Sequence, residues 1–151
     1  MNIFIERACE KDAAEIINVR NACFYDDYIR FGECPGYNIS IEEMKKRIQN
    51  ALLHKIIVDD KIVGDISVHI LDNGVYWIGC LAISPTYQNK GIGTIAIKHI
   101  ENKYSEARVW QLETPLSNKR NCYFYEKLGF VKIDEKVQSG ILTLCVYEKK
   151  T

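Results

Sequence analysis

Three apolar runs, residues 55–58, 62–71 and 75–83, are separated from one another by only three residues each: Asp59, Asp60 and Lys61, then Asp72, Asn73 and Gly74. Connections this short, rich in Asp, Asn and Gly, cannot carry a chain back to the start of a parallel neighbour. They join antiparallel strands as hairpins. The third run, VYWIGCLAI, is apolar almost throughout, which predicts a central strand covered on both faces. The core of the fold is therefore a sheet, and the remaining segments must be arranged around it.

Before the hairpins, Ile3–Arg7 alternates like a short strand. Asp12 is placed to cap a helix whose Ala13, Ile16, Ile17 and Arg20 recur at helical spacing. The stretch FYDDYIRFGECPGYN reads as an aromatic, turn-rich loop. Ser40 with Glu43 three residues on is a capping-box signature and opens a helix expected to run to about Leu53. After the hairpins, Ile92, Ile95, Ala96, Ile100 and Tyr104 form the stripe of an amphipathic helix. The run 107–114 then reads as a strand parallel to 75–83, because a helix intervenes. A further helix from Ser117 or Asn118 stops at Gly129, and the strands 130–137 and 141–147 close the chain as a hairpin. The order β-α-α-β-β-β-α-β-α-β-β predicts an α/β (α+β) fold in one domain, residues 1–151. Its sheet is mixed and mainly antiparallel, flanked by helices, with one βαβ unit near the middle.

Composition excludes several classes of function. Lysine plus arginine equal aspartate plus glutamate at 20 each, so no global basic field draws the chain to nucleic acid. The longest apolar run is nine residues, short of the roughly 18–20 that span a bilayer. MNIFIERACE has no apolar core of signal-peptide length, so a cytoplasmic location without membrane attachment is expected. None of the six cysteines makes a C-x-x-C pair, and neither a zinc site nor a disulfide framework is expected.

TYQNKGIGTIAIKHIE, residues 86–101, places two glycines where a loop becomes a helix. Glycine there lets a ligand approach the backbone. Gly91, Gly93 and Ala96 fit the dinucleotide pattern G-x-G-x-x-[GA], with Glu113 twenty residues past Gly93. The context argues against that reading, since residues 84–90 separate the strand from the first glycine and hairpins precede it. A loop from Gln88 to Gly93 that turns successive N–H groups to one point, beside a helix N-terminus, suits a diphosphate. No Gly-Lys-Ser/Thr follows, so a carrier with a permanent pyrophosphate fits better than a hydrolysed nucleotide.

LAISPTYQNKGIGT resembles motif A of the GNAT N-acetyltransferases, a strand followed by [QR]-x-x-G-x-[GA], with Gln88, Gly91 and Gly93 in its positions. NKRNCYFYEKLGF is similar to the later helix of the same family, with Asn118, Tyr125, Glu126, Lys127, Gly129 and Phe130 in place and Asn121 where alanine is common. The resemblance implies a GNAT fold from end to end, with acetyl-CoA as cosubstrate and transfer of its acetyl group directly to an amine. Strands 75–83 and 107–114 would splay apart. The backbone of Leu81, Ala82 and Ile83 would pair with the pantetheine arm, a backbone N–H near Leu81 or Ala82 facing the thioester oxygen. Gln88, Asn89, Lys90, Gly91, Ile92, Gly93 and Thr94 would cradle the pyrophosphate, and Asn118 would contact the arm. Tyr125 would protonate the departing thiolate, a phenol of pKa about 10 being close enough to a thiol of about 8.5. Its alternative is a core aromatic among Phe124, Leu128 and Phe130.

The general base is open between Glu113, Glu33 and His69, with Glu113 preferred because a carboxylate can act through a water. The early loop corresponds by position to the family's acceptor wall. Asp26, Tyr28 and Glu33 there would receive a small cationic amine through charge and cation–π attraction, unless the loop merely packs its aromatics on the sheet. Protein N-terminal or lysine acetylation, and a CoA-binding regulatory module without turnover, remain the alternative functions. A homodimer is left open, and no metal is expected.

Overall fold

The computed structural model describes all 151 residues. The strands are β1 (Ile3–Arg7), β2 (Leu52–Val58), β3 (Lys61–Ile70), β4 (Val75–Ile83), β5 (Val109–Pro115), β6 (Val131–Val137) and β7 (Thr143–Lys150). The helices are α1 (Ala13–Phe31), α2 (Ile41–Asn50), α3 (Ile92–Lys103) and α4 (Lys119–Lys127). One mixed sheet has the order β1-β2-β3-β4-β5-β7-β6, with the apolar β4 in the middle. The chain forms two compact units, Met1–Val68 with Cys80–Lys103, and His69–Gly79 with Tyr104–Thr151.

In the first unit β1 and β2 pair antiparallel from Ile3↔Val58 to Arg7↔His54. The β2–β3 turn is a hairpin of the expected kind: Asp59 and Asp60 both have positive φ, 49° and 68°, as a type I′ turn requires. A bulge sets Ile56 opposite Gly64 and Ile57 opposite Ile62. At Gly64 β3 and β4 approach closely: a Cβ there would lie 2.3 Å from the carbonyl oxygen of Ala82. Ala8, Ala13, Ile16, Met44, Ile48 and Leu53 make the buried core between α1, α2 and the strands.

Several boundaries differ from the sequence expectation, each for a physical reason. The α1 helix runs on to Phe31, so residues 24–31 are helix and not loop. Phe24, Asp27 and Phe31 continue the inward spacing of Ile16, Arg20 and Cys23, and the helix ends where Gly32 takes φ 72° and donates its N–H to Tyr28 O (2.8 Å). Asp12 does not cap α1. Its carboxylate accepts the Cys9 N–H (2.9 Å), closing a short 3-10 turn, and pairs with Lys55 (3.0 Å). Ser40 does cap α2, its Oγ accepting the Glu43 N–H (3.1 Å), while Glu43 turns to Arg47. That helix stops at Asn50, because Leu52 and Leu53 already pair with Val68 and Ser67 of β3. In α3 it is Ile97 that turns inward, and Ile95 is 43% exposed.

In the second unit β4 and β5 run parallel, as expected of strands joined through a helix. Their ladder covers only Val75↔Val109, Tyr76↔Trp110 and Trp77↔Gln111, a short contact for strands of nine and seven residues. β5 pairs antiparallel with β7 from Val109↔Lys150 to Pro115↔Leu144. Trp110, Leu112, Tyr125, Phe130 and Tyr147 are buried together on one face of this sheet. β6, at the edge, is exposed along its whole length.

Candidate active site

In the first unit the end of β4 leads through a 3-10 turn, Pro85–Tyr87, into the loop before α3. Backbone groups alternate along a strand. Ser84 N–H bonds Val63 O (2.8 Å) and the Ala82 carbonyl abuts Gly64, so Ala82 and Ser84 face β3. Leu81 and Ile83 therefore point their N–H and C=O away from β3. Ile83 is engaged on both groups: its N–H donates to the Cys23 thiol, and its oxygen accepts Gln88 Nε2 (2.9 Å). Of the two residues expected to offer a donor to an acyl oxygen, Leu81 is the one whose N–H points away from β3.

The loop itself is built by two left-handed residues, Asn89 (φ 61°) and Gly91 (φ 79°). Alternation of left- and right-handed backbone turns successive N–H groups to the same side, an anion-binding concavity. A side chain on Gly91 would meet nothing within 4 Å, so the space above it is open. The first intrahelical bond of α3 is Ile95 N–H to Gly91 O (3.2 Å). The N–H groups of Ile92, Gly93 and Thr94 thus belong to the helix's first turn, which has no intrahelical acceptors and carries the positive end of the dipole. Ile92 is buried and anchors the turn. This is geometry for a phosphate-bearing ligand, made almost wholly of backbone.

Of the acceptor-wall residues, Asp26 and Tyr28 lie on α1 and Glu33 follows its end. Asp26 and Glu33 are exposed, and Tyr28, 40% exposed, stacks on Tyr37 (ring centroids 4.6 Å, 13°). The inward face carries Arg20, Cys23 and Asp27. Arg20 forms a buried bidentate pair with Asp65 of β3 (Nε–Oδ1 3.0 Å, Nη2–Oδ2 2.7 Å). Burial pushes the Cys23 thiol up to about 11 and the Cys80 thiol to about 12, so both are protonated at neutral pH. Spacing alone does not join Arg20 of α1 to Asp65 of β3, and Asp27, which the sequence places among the acidic and aromatic residues of the acceptor stretch, turns inward because that stretch is helix.

In the second unit Asn118 caps α4, its Oδ1 accepting Asn121 N–H (3.1 Å). Asn121 in turn reaches the hydroxyl of buried Thr114 (3.5 Å), which gives it a local role where alanine is common. Tyr125 is buried against Phe124, Phe130 and Tyr147, with ring centroids 5.1, 5.8 and 6.3 Å away. The Tyr147 hydroxyl donates to Glu126 (2.7 Å). Glu113 is not a solvated strand end: its carboxylate is paired with Lys136. Leu112 sits opposite Tyr147, so Tyr125 packs on the Leu112 face, whereas Glu113 points to the other. His69 is exposed. A cleft of about 240 Å³ lies between α4 and the β6–β7 hairpin, lined by Cys122, Glu126, Lys132, Cys145 and Tyr147 among others; none of the expected site residues borders it. No helix is long and apolar enough to cross a membrane.

The sequence is 31% identical over 134 residues to the uncharacterized protein YrkN of Bacillus subtilis strain 168, covering 85% of this chain and 72% of that one. The fold matches that of the PaiA N-acetyltransferase from Thermoplasma acidophilum, solved in complex with coenzyme A, over the full length of both chains (TM-score 0.85, 21% identity). It also matches the microcin C7 self-immunity acetyltransferase MccE, solved with acetyl-CoA and AMP, over 99% of this chain and 92% of that one (TM-score 0.79, 20% identity). The family model of the acetyltransferase (GNAT) family covers residues 14–130, which includes both the glycine loop and the α4 motif: the chain belongs to the GNAT acetyltransferase family.

Proposed function

We propose that this protein is an N-acetyltransferase that moves acetyl from acetyl-CoA directly to an amine, in a single catalytic domain spanning residues 1–151. The observation that carries the reading is the Asn89–Gly91 loop running into the first turn of α3, with open space above Gly91. Such a backbone concavity fits the diphosphate of coenzyme A, and the absence of a P-loop lysine suits a phosphate that is held and not cleaved. Acetyl-CoA supplies an acetyl group activated as a thioester.

The chain's residues then have separate tasks. Gln88 fixes the carbonyl of Ile83, and residues Asn89, Lys90, Gly91, Ile92, Gly93 and Thr94 bind the diphosphate. Leu81 offers a preorganised N–H to the acyl oxygen, with Ala82 and Ile83 holding the strand edge in register. Asn118, already fixed as a cap, contacts the pantetheine arm through its amide. Tyr125 delivers a proton to the departing thiolate. Glu113 is the candidate base, acting through water, and must do so while paired with Lys136. Asp26, Tyr28 and Glu33 form the outer acceptor wall for a small cationic amine. The exposed β6 edge is where a second copy would pair, and the enzyme works in the cytoplasm.

The test is a panel of amines incubated with acetyl-CoA and followed by thiol release. Release that depends on the amine supports the enzyme. Binding of coenzyme A with no release across small amines, peptides with free N-termini and lysine peptides would instead identify a regulatory module. Turnover confined to the peptides would identify a protein acetyltransferase.

A further inference from the structure

The inward face of α1 holds a carboxylate that the fold itself does not use. Arg20, Cys23 and Asp27 are spaced by three and four residues and so share one stripe of the helix. The stripe is fixed at two points. Arg20 is clamped to Asp65 by two short bonds, and the Cys23 thiol receives the Ile83 N–H from β4. Asp27, one turn further on, is thereby set beside the C-terminal end of β4. It is half-buried, its charge disfavours ionisation of the Cys23 and Cys34 thiols, and its oxygens accept no hydrogen bond from any protein group.

A half-buried carboxylate with no donor is costly unless a ligand supplies one. Burial is the main reason its carboxyl is pushed above the ordinary range, with Asp26 adding and Arg30 opposing. The neighbouring exposed acids Asp26 and Glu33 stay in solvent, where a charge pair gains little. Tyr28 and Tyr37, stacked, sit on the adjacent side of the helix and offer an aromatic face for an alkylammonium.

Building on the acetyltransferase reading, we propose that Asp27, rather than the exposed Asp26 or Glu33, is the residue that binds the cationic group of the acceptor at the end of β4. The substrate class that follows is an aliphatic amine carrying a second positive charge: one amine is held as ammonium by Asp27 while another, uncharged, is acetylated. Asp27 is then a specificity residue. It takes no proton in the transfer.

Asp27→Asn is the test, since it keeps shape and removes charge. With 1,4-diaminobutane as acceptor the KM should rise at least tenfold while kcat changes less than threefold, and Asp27→Glu should recover part of the loss. A neutral aromatic amine should show no change between variant and wild type. The melting temperature of the unliganded variant should stay level or rise, because an unpaired half-buried charge has been removed; a structural carboxylate would give a fall. An unchanged KM for diaminobutane, or an equal loss for the neutral amine, overturns the proposal while leaving the transferase intact. Should wild type release no thiol, the thermal shift given by diaminobutane in the presence of coenzyme A decides. A shift that Asp27→Asn abolishes upholds the cation site although transfer has failed, and a shift unaltered by Asp27→Asn, or none in wild type, overturns it.

Discussion

The glycine loop before α3 and the aromatic cluster around α4 use the backbone in opposite ways. In the loop the chemistry lies in N–H groups, positioned by Asn89 and Gly91 in left-handed conformations, and side chains matter mainly by being absent. Around α4 the backbone is ordinary helix, and the candidate chemistry lies in one hydroxyl whose ring is buried among Phe124, Phe130 and Tyr147. A site made of backbone leaves a signature in the sequence, because few residues other than glycine tolerate its angles. A site made of a packed side chain does not, because the same tyrosine would be there for its ring alone. The two regions must therefore be tested in different ways.

Tyr125→Phe should produce the largest effect and breaks the comparison at its weaker end. The ring and its packing remain while the proton is lost. A fall in kcat of about 10²–10⁴ is expected, with the thermal shift caused by coenzyme A unchanged. Loss of affinity together with rate would mean that the hydroxyl only positions the cosubstrate, and an unaltered rate would reduce Tyr125 to packing.

Gly64→Ala probes the closeness of β3 and β4 that turns Leu81 outward. With the Ala82 carbonyl 2.3 Å from the new Cβ, the strands must shift, at a cost of about 2–3 kcal/mol. The melting temperature should fall by roughly 5–10 °C. No fall would mean that the strands adjust freely and that the orientation of Leu81 is not set there.

At the loop, Gly91 and Gly93 are not equivalent. Gly91→Ala forces a side chain onto φ 79° and should cost about 1–2 kcal/mol even without ligand. Gly93 lies within α3, so Gly93→Val is the cleaner probe of the ligand. It should remove the coenzyme A shift while the unliganded protein still melts cooperatively. A full shift in Gly93→Val would show that the phosphate lies elsewhere.

The smallest effect concerns Asp12. Burial disfavours its charge, but the Cys9 N–H and Lys55 outweigh that and hold its carboxyl below the ordinary value of 3.8. A lowered folded pKa contributes stability above 3.8 that is lost as pH falls below it. Urea midpoints should show wild type weakening more steeply than Asp12→Asn below about pH 4, and parallel curves would refute the linkage.

The sequence made the hairpins legible because Asp59–Asp60 and Asn73–Gly74 are among the few pairs that accept positive φ in succession. It also showed the Ser40 cap and the parallel β4–β5 unit. The length of α1 was hidden, since the aromatic and acidic letters of residues 24–31 suit a loop as well as a helix with one inward stripe. On a helix, neighbouring residues are about 100° apart, so Asp26 faces solvent while Asp27 turns inward. Lys136 beside Glu113 was likewise invisible, because the register of β6 on β7 contains an irregularity at Lys132–Asp134 that spacing alone does not reveal.

The central claim is that the loop before α3 holds the diphosphate of coenzyme A. Thermal denaturation of the wild-type protein with acetyl-CoA, and in parallel with NADH, tests it most directly. At about 100 times the dissociation constant a bound ligand adds about 2.7 kcal/mol, which corresponds to a rise of roughly 5–10 °C for a chain of this size. Acetyl-CoA should give that rise and NADH should not. A rise with NADH and none with acetyl-CoA would contradict the account.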